Sequence, residues 1–180
     1  MPDYNFTLKY RLADDDADHD AIVERLGEAG CTDALVGLGI AGRLALRFDR
    51  EADDARNAVR TALEDVKSVL PTATLVEVHP DIVTATEVAE LVGKTRQNIR
   101  KLMLSHSDFP SPVHDGPSVT LWHLSDVLDW LETRQDYKLD KALRETACVA
   151  RELNMAKEVA RSHSREAAAE YDFVDNRRLG

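Results

Sequence analysis

This 180-residue chain changes character once, close to Pro80, from strands interleaved with helices to a mostly helical run, and that change constrains the fold more than any other feature. Ahead of it, residues 4–12 alternate: Phe6, Leu8 and Tyr10 fall on one side, Asn5, Thr7 and Lys9 on the other, the period of a half-buried strand. Ile22, Val23, Leu26 and Ala29 then recur at helical spacing, and Gly30 closes that segment. Two short strands, 34–40 and 43–49, form a hairpin. An amphipathic helix over 53–70 follows, with Ala55, Val59, Ala62, Leu63, Val66 and Val69 on one face and Asp53 and Asp54 at its positive end. Pro71 stops it, and the β-branched run 74–78 is a fourth strand.

The order β-α-β-β-α-β predicts an α+β protein whose first domain, residues 1–80, has the split βαβ pattern of ferredoxin-like domains, an architecture that hosts many unrelated activities. Residues 79–83, containing Pro80, read as a linker. Beyond it come helix, turn, helix, a Pro-rich hairpin and helix again, dividing the rest into a winged helix-turn-helix over 81–132, a C-terminal helical segment over 133–170 and a tail over 171–180.

The net charge of −10 is unusual for a nucleic-acid binder, but its distribution is uneven. Acids crowd residues 14–20, whereas Lys94, Arg96, Arg100 and Lys101 stand in a stretch to residue 107 without one acidic residue. Residues 84–93 predict a first helix capped by Thr84 or Thr86 that buries Val88, Ala89, Leu91 and Val92. Gly93 and Lys94 make the turn, and Thr95 caps a second helix by accepting from the N–H of Gln97 or Asn98. Over 95–104, Ile99, Leu102 and Met103 face inward, which leaves Arg96, Gln97, Arg100 and Lys101 outward. Arg forks onto guanine and Gln or Asn pairs with adenine, so Arg96, Gln97, Asn98 and Arg100 suit base reading in a major groove. Residues 109–113, a turn at His114–Gly116 and a strand over 118–122 make a two-stranded wing, and a helix from residue 124, with Ser125 as its cap, supplies Val127, Leu128, Trp130 and Leu131.

The blocks TATEVAELVGKTRQNIRKLM, FPSPV and VTLWHLSDVLDWL resemble, in that order, the small winged helix-turn-helix of MerR-type regulators and, more closely, of phage excisionase and AlpA-type proteins. That resemblance covers residues 83–131. It implies that Arg96, Gln97 and Arg100 read the major groove of double-stranded DNA while the wing around His114 and Ser118 lies along phosphates or the minor groove. Such wings commonly bear Arg or Lys, and here Pro117, Ser118 and Thr120 stand instead.

Other signals point away from chemistry. The G-x-G-x-x-G at residues 37–42 runs into an alternating segment, whereas a dinucleotide site needs it to open a helix. Asp14, Asp15, Asp16, Asp18 and Asp20 with His19 lack the spacing and glycine of a calcium loop. Cys31 and Cys148 lack zinc or disulfide spacing and are expected as reduced core residues. No cofactor, metal or catalytic set is expected, and without a leader or membrane span the cytoplasm is the expected compartment. Leu139, Ala142, Thr146, Val149, Leu153, Ala156 and Ala160 repeat by threes and fours, which predicts a homodimer through this helix or, alternatively, a helix folded back on its own domains. The expected protein is a DNA-binding transcriptional regulator. Alternatives are an antitoxin-like module whose N-terminal domain binds a protein partner and an excisionase-like architectural protein.

Overall fold

A computed structural model of the chain describes residues 1–13, 19–37, 40–135 and 137–162. Among these residues the fold is mixed α+β, with six helices and two antiparallel sheets. The acidic loop at 14–18, two residues of the glycine motif and the tail expected over 171–180 lie outside the described residues.

The first sheet contains β1 (Asp3–Arg11), β2 (Ala34–Gly37), β3 (Arg43–Glu51) and β4 (Thr74–His79) in the order β2-β3-β1-β4, and α1 (His19–Glu28) and α2 (Ala55–Val69) complete the expected element order. The alternation read from the sequence sets which face is covered. Tyr4, Phe6, Leu8 and Tyr10 of β1 and Leu44, Leu46 and Phe48 of β3 are buried against Ile22, Leu26, Ala58, Val59, Ala62 and Val66 of the helices. A one-residue slip would turn this whole set to water, so the register is strongly fixed. Phe6 and Phe48 are direct cross-strand partners whose rings stack at 5.2 Å, a pair contributing about 0.2–1 kcal/mol. Arg50 lies over the Phe48 ring and is clamped by Asp33 at 2.6 and 3.0 Å and by Asp65 at 2.9 Å, which ties β3 to α2 and to the start of β2. Asp54 caps α2, its carboxylate accepting from the Asn57 N–H at 2.7 Å. Because β3 follows Gly42 directly, the glycine motif opens a strand and not a helix.

The second sheet, ordered β5-β7-β6, joins β5 (Ile82–Val83), β6 (His114–Asp115) and β7 (Thr120–His123) to α3 (Ala85–Leu91), α4 (Arg96–Ser105) and α5 (Leu124–Gln135). Val83, Val88, Ala89, Ile99, Trp122, Leu128, Trp130 and Leu131 are its core.

Four local expectations are corrected. Residues 79–83 are no loose linker: β4 runs to His79, β5 starts at Ile82, and Asp81 between them is 1% exposed. The Asp81 carboxylate lies 2.7 Å from His123 Nδ1 and accepts from Asn154 Nδ2 at 2.9 Å, while its carbonyl accepts the Leu124 N–H at 2.7 Å. Ser125 does not cap α5; it is buried inside the helix and accepts from Arg151 at 3.0 Å. Leu91 stands at the exposed end of α3, since that helix stops after only two turns. Cys31 is buried as expected, but Cys148 is exposed, because the buried stripe of its helix passes through Ala147, Val149 and Ala150.

That helix, α6 (Lys141–Ser162), joins the two halves. Val149 and Ala150 belong to the first core and Ala147 to the second. Thr146 and Val149, members of the expected dimer seam, are buried within the chain's own fold, and Ala142 and Leu153 pack on the first core.

Candidate nucleic-acid interface

α3 is held by a reciprocal capping box: Thr84 Oγ1 accepts from the Glu87 N–H at 3.2 Å, and the Glu87 carboxylate accepts from the Thr84 N–H at 2.7 Å. Of the two candidate caps, Thr84 is therefore the one used. Gly93 takes φ +66°, open to glycine and strained for other residues, and so redirects the chain into α4. Thr95 caps α4 by accepting from the Asn98 N–H at 3.1 Å. Ile99, 1% exposed, anchors the helix from behind with Leu102 and Met103 half-buried beside it.

All nine residues expected at the interface, Lys94, Thr95, Arg96, Gln97, Asn98, Arg100, Lys101, His114 and Ser118, are exposed. They do not form one uniform surface. Arg96 and Arg100 share a stripe with Leu104 and line a cleft of about 470 Å³, whose opposite wall is Pro117, Ser118, Val119 and Thr120 of the hairpin. Gln97 and Lys101 lie one step round the helix, further from that cleft. Asn98 turns to the far side, where its Oδ1 accepts from Tyr137 Oη at 3.0 Å, and Lys94 Nζ sits 5.2 Å from the centre of the same ring. Asn98 and Lys94 are thus positioned by Tyr137.

The hairpin differs from its expected register. Its strands pair His114 with Leu121 and Asp115 with Thr120, and the turn is Gly116 to Val119, closed by the Gly116 N–H donating to the Val119 carbonyl at 3.0 Å. Residues 109–112 are not ladder strand, because Pro110 and Pro112 have no N–H to donate. Phe109 instead packs edge-on against Trp122 and Trp130, and the Pro110 carbonyl accepts from Trp122 Nε1 at 3.1 Å. His114 therefore belongs to a strand, and Ser118 sits at the tip.

This surface carries unpaired positive charge. Arg96 and Arg100 form no ion pair with any described residue, and neither does Lys101. An exposed pair of unengaged guanidinium groups beside a cleft can fork onto a phosphate or a guanine edge. Among the described residues no group of three or more His, Cys, Asp or Glu could hold a metal ion, and no helix is long and apolar enough to cross a membrane.

Sequence reasoning missed Leu104 and Tyr137. Leu104 is 78% exposed at the end of the arginine stripe, and its spacing of four from Arg100 could have signalled it. Tyr137, on the connection between α5 and α6, carries no comparable signal. Comparison of the chain with protein-family models, curated proteins and solved structures found no match.

Proposed function

We propose that the protein is a sequence-specific, non-catalytic binder of duplex DNA that regulates transcription, with α4 as the helix that enters the major groove and the 114–123 hairpin as a wing beside it. On this reading residues 81–132 are a winged helix-turn-helix, and residues 1–80 are a ferredoxin-like domain attached to it. The observation that carries the reading is the unpaired, exposed Arg96 and Arg100 on one stripe of α4, facing the hairpin across a cleft, on a protein whose net charge is −10. On such a protein, long-range attraction to DNA is weak, so direct contacts from this stripe must supply most of the affinity. Arg96 and Arg100 contact guanines, Gln97 an adenine and Lys101 the backbone, with Ser118 and His114 touching the flanking strand. Asn98 and Lys94, held by Tyr137, set the pitch of the helix.

A second copy has the outer end of α6 available, where Met155, Ala156, Val159 and Ala160 are exposed. Two copies joined there would present two α4 helices to half-sites about one helical turn, or a multiple, apart.

The test is selection of duplexes from a random pool by the purified protein, followed by a gel shift on the selected sequence. Arg96→Ala with Arg100→Ala abolishes the shift and leaves the circular dichroism spectrum unchanged. Recovery of no common sequence, or an undiminished shift with the double variant, overturns the reading.

A further inference from the structure

Three further arginines share the unpaired state of Arg96 and Arg100: Arg11, Arg43 and Arg47, all exposed, form no ion pair with any described residue. Every other described arginine is held by a carboxylate or a carbonyl. Cross-strand partners share a face, so the register puts Leu35, Arg47 and Thr7 in one row of the sheet's open side, Gly37, Ala45 and Lys9 in the next, and Arg43 beside Arg11 in a third. Two arginines directly opposite each other repel, which costs stability that packing alone does not require.

We propose that this open face, along the free edge of β2, docks an extended acidic protein segment carrying interspersed apolar side chains. Three observations select that occupant. First, the two edges of the sheet are treated differently. On β4 the Asn154 side chain takes both the N–H and the carbonyl of Val78, at 2.9 and 2.8 Å, and Lys157 donates to the Val76 carbonyl. β2, at the other edge, has no described strand on its outer side, which is the arrangement that accepts an added strand. Second, the arginine rows, on either side of a Lys9 already paired with Glu77 at 2.8 Å, border exposed apolar groups: Leu35 is 71% exposed, Ile40 59% and Val76 46%. Ile40 and Val76 line a trough of about 580 Å³ with Lys9, Arg11 and Arg43 over a floor of Gly37 and Ala45. Arginine beside apolar surface is the composition of a protein interface, and phosphates would leave the apolar part unused. Third, the aromatic side chains of these strands, Tyr4, Phe6, Tyr10 and Phe48, all lie on the buried side, so the open face has no platform on which bases could stack. The occupant is therefore a strand that carries carboxylates and apolar side chains on the same face, the carboxylates meeting Arg43 and Arg47 and the apolar residues between them covering Leu35 and Ile40. This docking does not depend on DNA binding by α4.

The experiment is fluorescence anisotropy of a labelled peptide in which every second residue is Glu or Val in turn and the residues between are Thr, so that Glu and Val share one face of the strand, titrated with the full chain. Binding is expected, weakening as salt is raised, and Arg43→Gln with Arg47→Gln lowers the affinity by about tenfold or more, the scale of losing two charge-assisted contacts. The same peptide with Lys for Glu does not bind. Because the double substitution removes a repulsion, the variant keeps its circular dichroism spectrum and melts no lower than the parent. Arg96→Ala with Arg100→Ala leaves peptide affinity unchanged, so failure of this proposal is distinguishable from failure of the DNA reading. The proposal is overturned if the Glu/Val peptide does not bind or binds the Arg43/Arg47 variant equally well. It is also overturned if those substitutions weaken random duplex DNA instead, or if sedimentation finds β2 covered by a second copy of the chain.

Discussion

The side-chain amide of Asn154 closes a two-bond ring on the backbone of Val78, accepting its N–H at 2.9 Å and donating to its carbonyl at 2.8 Å, 76 residues apart in sequence. The same amide nitrogen also reaches Asp81 at 2.9 Å. One buried side chain thus mimics a neighbouring strand at the β4 edge and satisfies a carboxylate between the two halves. Asn154→Ala leaves three buried polar groups short of a partner and destabilises the protein by about 3 kcal/mol, which lowers the melting temperature by roughly 6–12 °C in a chain of this size. A thermal melt within 2 °C of the parent, about 1 kcal/mol or less, would contradict this.

On the proposed DNA-binding reading, salt dependence separates backbone contacts from base contacts on α4. Lys101→Ala weakens the selected operator and random duplex alike and reduces the slope of log affinity against log salt by about 1. Arg100→Ala instead costs about 1–3 kcal/mol on the operator and relaxes the base preference at one position. Titrations at several salt concentrations with both duplexes measure this directly.

Gly93 sets the angle between α3 and α4. A Cβ there would meet no heavy atom within 4 Å, so Gly93→Ala incurs backbone strain alone, at φ +66°. The expected loss is about 1–2 kcal/mol in urea unfolding, with Gly93→Asn losing less. A larger drop in operator affinity than in stability is the sign that the turn orients the helix.

Glu77 makes the fold sensitive to acid. Burial pushes its carboxyl up, but the imidazole of His79 3.7 Å away and the hydrogen-bonded Lys9 ammonium at 2.8 Å outweigh that, leaving it below the ordinary carboxylate range. A carboxyl depressed by folding stabilises the native state above its unfolded value, near pH 4.3, and that stability is lost as pH falls through the lower folded value. Glu77→Gln flattens the loss of stability below about pH 4, measured as the urea midpoint against pH.

Short-range periodicity made most elements legible. The alternation of Phe6, Leu8 and Tyr10 located β1 and its buried face, and Ile99 with Leu102 and Met103 identified the inner side of α4. What escaped depends on distant partners or on missing donors. Asp81 reads as loop beside Pro80, because its partners His123 and Asn154 lie 42 and 73 residues away. The hairpin register slid because the prolines at 110 and 112 look like a bounded strand in composition while lacking its hydrogen bonds. Tyr137 follows no helical or strand period, so its hold on Asn98 and Lys94 is legible only in three dimensions.

Within a single turn of α6, Ala147 closes one core and Ala150 the other. A fragment ending at Pro80 therefore lacks the part of its wall that Val149 and Ala150 supply, while the complementary fragment keeps Ala147 and its own core but bares the face of α6 on which the first sheet packs. Heating should likewise melt both halves in one calorimetric step, and a mutation in the first sheet should be felt at the arginines of α4.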